Sequence, residues 1–128
     1  MITLLGYDLD SEPVEPGGNV HVTLYWQAQQ TMEVSYKVFV HLYDGDGNLV
    51  AQRDSLPGLG ARPTTTWQAG EVVADRHIVP MGEVVAGKYT VAVGLYEETS
   101  GERLAAYGAG GERLYEDRIF LGKVEVEP

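Results

Sequence analysis

The sequence predicts an all-β domain, an antiparallel β-sandwich of seven or eight strands with Ig-like or jelly-roll-like connections. Three observations carry that prediction. Apolar residues recur with a period of two in several segments; turn-forming residues separate those segments at regular intervals; and no stretch repeats its apolar residues at the 3.6 spacing of an amphipathic helix. A closed barrel is the alternative arrangement of the same strands.

The first strand is expected at about residues 3–9, closed off by Pro13, Pro16, Gly17 and Gly18. Val20, Val22, Leu24 and Trp26 then alternate with His21, Thr23 and Tyr25, which marks a strand with one face in a core. Val34, Tyr36, Val38, Val40 and Leu42 alternate in the same way with Ser35, Lys37, Phe39, His41 and Tyr43. The run Asp44-Gly45-Asp46-Gly47-Asn48 supplies left-handed conformations for a hairpin into a strand over 49–53. A long connection over 54–68 leads to a strand over 71–79 that ends at Pro80-Met81-Gly82. Gly87 opens the strand holding Tyr89, Val91, Val93 and Leu95, and Thr99-Ser100-Gly101 turns into a short strand over 103–106. Gly108, Gly110 and Gly111 form a flexible loop before a last strand over about 118–126.

At 128 residues the chain is one domain, residues 1–128, large enough for a core without covalent staples. Its net charge of −10 removes the basic footprint that nucleic acid or an anionic membrane surface requires. With no cysteine there is no disulfide framework, thiolate metal site or cysteine nucleophile. No apolar run approaches a membrane span, so no direct insertion by this segment is expected, and the opening residues Met1 to Leu5 lack the basic start of a secretory leader.

The residues able to do chemistry gather between Phe39 and Arg76. The Asp44–Asn48 run lacks the glutamate and flanking helices of a calcium loop, and the three histidines share no ligand spacing, so neither metal nor cofactor is expected. Ser11, Ser35, Ser55 and Ser100 lie in no nucleophile elbow, and Gly108–Gly111 is followed by no phosphate-binding Lys-Ser/Thr. Phe39, His41 and Tyr43 share one strand face. If that strand pairs with its predecessor, His21, Thr23 and Tyr25 join them in a patch suited to sugar rings. Trp67, at the end of the long loop, reads either as a fourth ligand-binding ring or as a plug. As a plug it anchors the loop together with Asp54 and Asp75, whose carboxylates can accept backbone N–H bonds. As a converging pair, Asp54 and Asp75 would instead be the carboxylates of a glycoside hydrolase.

The residues His41-Leu42, Asp44, Gly47, Val50-Ala51-Gln52, Asp54, Pro57, Gly60, Pro63-Thr64, Trp67, Gly70-Glu71 and Asp75 form a combined pattern. Gly87-Lys88-Tyr89, Val93-Gly94-Leu95-Tyr96, Thr99 and Gly101-Glu102-Arg103-Leu104 continue it. Over residues 4–126 the pattern resembles the C-terminal β-sandwich accessory domain of bacterial multi-pass membrane proteins similar to dolichyl-phosphate-mannose mannosyltransferases. The resemblance implies a module of a longer, membrane-anchored chain, placed outside the cytoplasm, with the transferase chemistry elsewhere and no catalytic residue of its own. The expected function is thus a non-catalytic accessory module for glycan recognition or scaffolding, with a glycan or an envelope protein as partner. The alternatives are a protein-interaction sandwich and the hydrolase built on Asp54 and Asp75.

Overall fold

The computed structural model describes residues 2–10, 12–108 and 110–128; Met1, Ser11 and Ala109 lie outside them, and with them the Met1 end of the leader reading and the centre of the predicted Gly108–Gly111 loop. Seven strands occur among the described residues: β1 (Ile2–Leu9), β2 (Asn19–Ala28), β3 (Tyr36–Tyr43), β4 (Leu49–Ser55), β5 (Val72–Pro80), β6 (Gly87–Glu97) and β7 (Ile119–Val126). They form two antiparallel sheets, β1-β2-β5 and β4-β3-β6-β7. The sheets stay separate, so the barrel does not form. The connectivity is Ig-like, with the fourth strand beside β3 in the second sheet.

β2 shows why these residues fold this way. Val20, Val22, Leu24, Trp26 and Ala28 are buried and the residues between them are partly or wholly exposed, so one face meets the other sheet and one meets water. Val38, Val40 and Leu42 of β3 and Val91, Val93 and Leu95 of β6 oppose them across the core. In β7 the alternation breaks. Gly122 and Phe120 pair with the consecutive residues Val91 and Ala92, leaving Leu121 as an unpaired bulge. Leu121 and Val124 therefore both point inward, and Phe120 stands on the outer face.

The predicted elements hold with three corrections. β2 and β3 do not pair; they lie in different sheets, so His21, Thr23 and Tyr25 share no face with His41. Residues 103–106 make one isolated bridge, Tyr96 to Arg103, rather than a strand. Val34 precedes β3, because the backbone turns before Tyr36, whose N–H is bound by the Thr64 hydroxyl at 3.1 Å. The Asp44 turn forms as predicted: its carboxylate accepts the N–H groups of Asp46 and Asn48, both at 2.9 Å, and Gly47 takes a φ of 83°.

The two sheets differ on their outer faces. β5, like β2, alternates buried and exposed along its length, whereas the centres of β3 and β6 are buried on both faces. The chain between β6 and β7 lies over part of the second sheet, with Arg103 above Phe39. At the sandwich edge, Val14 bridges in parallel to Val126, donating to the Glu125 carbonyl at 2.7 Å, so part of the β7 edge is capped.

Leu42 is fully buried between the sheets. Leu42→Ala is expected to lower unfolding stability by about 2–5 kcal/mol, read as a shift of the urea midpoint at unchanged slope.

Candidate functional site

The buried polar groups come first, because they decide which residues are free for function. β5 places Asp75 and His77 in the inward register of Val73 and Val79, and both are 0% exposed. Trp26 Nε1 donates to Asp75 Oδ2 at 3.1 Å, the Gly58 N–H donates to Oδ1 at 2.8 Å, and His77 Nε2 lies 2.5 Å from Oδ2. Ser55 Oγ lies 3.1 Å from His77 Nδ1. The consistent proton assignment has Nε2–H donated to Asp75 and Nδ1 accepting the Ser55 hydroxyl. Serine, histidine and aspartate thus stand in line, but the two nitrogens have exchanged the roles they hold in a hydrolytic triad. The ring is sealed from solvent and both carboxylate oxygens are engaged, so the line connects β4 to β5 and ties the loop after Ser55 to the core.

The long loop is fixed at two further points. Thr64, fully buried, donates to the Val34 carbonyl at 2.6 Å and accepts the Tyr36 N–H. Trp67 is 1% exposed, and its Nε1 donates to the Arg62 carbonyl at 2.9 Å. The Arg62 guanidinium reaches Glu71 at 2.7 Å and holds that carboxyl below its ordinary range.

Asp54 is placed elsewhere. It pairs with Phe39 on the outer face of the second sheet and accepts the Tyr96 hydroxyl at 2.9 Å, not a loop N–H. Burial, then this bond, push the Tyr96 hydroxyl up to about 12. Asp54 is therefore no loop anchor. It also shares no cleft with Asp75, since one lies outside the second sheet and the other between the sheets.

The outer face around Phe39, His41 and Tyr43 is only partly open. Phe39 is 1% exposed: the Arg103 guanidinium lies 4.3 Å from its ring centroid, and His41 and Tyr96 flank it. Its ring occupies the space that a Cβ at Gly94 would take. Phe39 and Trp67 are thus covered and offer no ring to a ligand. His41 Nδ1 lies 3.0 Å from the Tyr43 hydroxyl, and burial lowers the pKa of its ring.

Beyond His41 the face opens into an aromatic cluster. Tyr43 meets Phe120 edge to face at 6.4 Å. The Arg118 guanidinium stands 4.7 Å from the Tyr43 centroid, 4.9 Å from Phe120 and 5.9 Å from Tyr115. Phe120 is 54% exposed and Tyr115 77%. Arg118 meets Glu116 at 3.2 Å, while its buried Nε–H has no acceptor. The group offers flat rings beside a cation with spare donors, on a floor made by the small residue Ala92. Of the four residues expected from sequence to bind a ligand, Phe39, His41 and Trp67 are buried and Tyr43 is partly exposed. Phe120, Tyr115 and Arg118 were not among them; the phase change from Ile119 and Leu121 to Val124 and Val126 is the one mark of the bulge that turns Phe120 outward.

The segment carrying these residues has its own brace. Glu116 and Asp117 take positive φ angles of 56° and 52°, a conformation that costs about 1–2 kcal/mol for a side-chain-bearing residue. Asp117 accepts the Nε–H and an Nη2–H of Arg113, both at 2.8 Å, and the Ala106 N–H at 3.1 Å; Arg113 foremost holds its carboxyl down at about 2. Residues 106–108 and 110–114 form a flap, with the Leu114 N–H on the Ala106 carbonyl and a Tyr107–Arg113 bridge. Among the described residues no group of His, Asp and Glu is placed to hold a metal ion.

Asp75→Ala leaves the Trp26 and Gly58 donors unpaired in the core and is expected to lower stability by about 3 kcal/mol in urea unfolding, with faster amide exchange at Gly58. Because the folded protein lowers the His41 pKa, stability from that group is full above its ordinary value of 6.5 and is lost as pH falls through the lowered value. The urea midpoint is expected to drop between pH 7.5 and pH 5 less steeply in His41→Gln than in the native chain.

No protein-family model and no curated protein matches this chain. Solved structures share its fold. The C-terminal domain of wzt superposes with a TM-score of 0.68 at 14% identity, over 99% of this chain and 74% of that one. A β-glucuronidase from glycoside hydrolase family 2 contains a region that superposes with a TM-score of 0.54 at 12% identity, over 78% of this chain but 10% of that one. At these identities the likeness establishes the β-sandwich fold.

Proposed function

We propose that this chain is a non-catalytic glycan-binding accessory module, and that its recognition surface is the outer face of the second sheet around Tyr43, Phe120, Tyr115 and Arg118. The observation that carries the reading is the exposed aromatic cluster built about a guanidinium. Pyranose rings present apolar C–H faces that stack on flat side chains, and their hydroxyls or carboxylates accept the donors of an arginine. The Ser55–His77–Asp75 line is sealed and committed to holding the fold, which favours binding over catalysis. The β-glucuronidase lends a supporting parallel: there a sandwich of this shape is a small part of an enzyme that, by its name, acts on a glycoside.

The resemblance to membrane glycosyltransferase-like proteins supplies the setting. In it the module lies outside the cytoplasm, carried by a membrane-anchored chain, and presents or retains an envelope glycan for chemistry performed elsewhere. A partner protein of the envelope fits the same setting as a second binding surface.

Calorimetric titration with cell-envelope polysaccharides and a set of neutral and acidic oligosaccharides tests the reading. Binding is expected, with Tyr43→Ala and Phe120→Ala each weakening it at least about tenfold, or ~1.4 kcal/mol, while far-ultraviolet dichroism stays native. Binding that survives both substitutions would move the site off this face. No binding across the set would end the recognition reading and leave a scaffold.

A further inference from the structure

At one end of the sandwich, β1 and the flap border a half-open cavity of about 670 Å³ that the aromatic face does not share. Ile2 and Leu4 of β1, Trp26 of β2, Leu95 of β6, Leu104 just before the flap and Ile119 of β7 supply its walls. We infer that this cavity is a binding site for an aliphatic chain, such as the alkyl or acyl part of an amphiphile. The inference is independent of glycan recognition.

Three features of the cavity argue for such an occupant. First, its size lies within the range of pockets that enclose small-molecule ligands, and its walls are mostly aliphatic. Apolar walls that face only water gain when an apolar chain displaces that water. Second, the polar side chains in the lining do not form a recognition set. The Asp117 carboxylate is already taken by Arg113 and the Ala106 N–H, which leaves the Thr3 and Tyr107 hydroxyls. A sugar or nucleotide would lose its water without finding enough partners, and a hydrocarbon chain has none to lose.

Third, the flap wall is braced rather than collapsed. A mobile flap could fold onto β1 and cover its own aliphatic residues. Instead, two consecutive residues, Glu116 and Asp117, hold left-handed conformations, and the bidentate Arg113–Asp117 pair locks the flap base over Ala106. Strain of this kind persists where the surroundings over-determine it, and it concentrates at ligand clamps. The half-exposed Tyr107 stands at the lining's solvent side, where the polar head of an amphiphile can remain in water.

The cavity contains a reporter, because Trp26 lines it and Trp67 does not. Titration of the intact chain with 10-bromodecan-1-ol is expected to give saturable loss of the Trp26 part of the emission, since bromine quenches an indole at contact. The Trp67 part persists, and 2-bromoethanol, which has no chain to bury, gives only weak linear quenching. Ala106→Phe, which fills the lining, is expected to abolish the saturable phase. In the native chain, methyl resonances of Leu95, Leu104 and Ile119 are expected to shift with the same midpoint, a readout that does not depend on the variant folding. Quenching by the ten-carbon alcohol no different from that by 2-bromoethanol, without methyl shifts, would overturn the inference. So would saturable quenching undiminished in a folded Ala106→Phe variant. A dimer in sedimentation that excludes the probe would also overturn it, by assigning the cavity to a second copy.

Discussion

The Asp75 carboxylate lies where three parts of the chain meet, and the rest of the structure depends on how it is satisfied. From β5 it binds the Trp26 indole of β2, the His77 imidazole beside it and the Gly58 N–H of the long loop. His77 passes the connection on to Ser55 at the end of β4, in the opposite sheet. A carboxylate removed from water is tolerable only when its lone pairs are filled, so each of these groups is held in place by the penalty of leaving it. The 56–71 connection, long enough to wander, is bound at its start by Asp75, in its middle by Thr64 and near its end by Trp67.

That anchoring leaves the other long excursion, between β6 and β7, to shape the proposed binding surface. It covers half of the second sheet, with Arg103 over Phe39, and leaves the other half open at Tyr43 and Phe120. Leu114 and Asp117 face the end cavity while their neighbours Tyr115 and Arg118 belong to the aromatic cluster. One braced segment thus forms a wall of both surfaces, and the Arg113–Asp117 pair supports each of them.

Much of the fold was legible from residue spacing. Val20 to Trp26 and Val38 to Leu42 alternate because one face of each strand must leave water, and that requirement is local to the strand. The site was less legible. Phe39 carries the same period as His41 and Tyr43, yet it lies under Arg103, a residue 64 positions later in the same chain. Asp54 and Asp75 look alike in sequence, and the register of β4 against β3 sends one outward while that of β5 sends the other into the core. A signal for Asp75 and His77 was present: both occupy the inward phase of Val73 and Val79, where a polar residue has to find a partner.

The sequence by itself determined that this is an all-β fold of alternating strands, where most of its turns fall, and that its 128 residues carry a net charge of −10 and no thiol. These follow from local rules of period, turn conformation and charge. Tertiary structure alone decided which rings are exposed, because exposure depends on what a distant segment covers. It also decided the parity of β7, because the Leu121 bulge exists only through pairing with β6. Whether a given aromatic is core or recognition surface is thus a property of two strands and a loop together, and no one of them carries it alone.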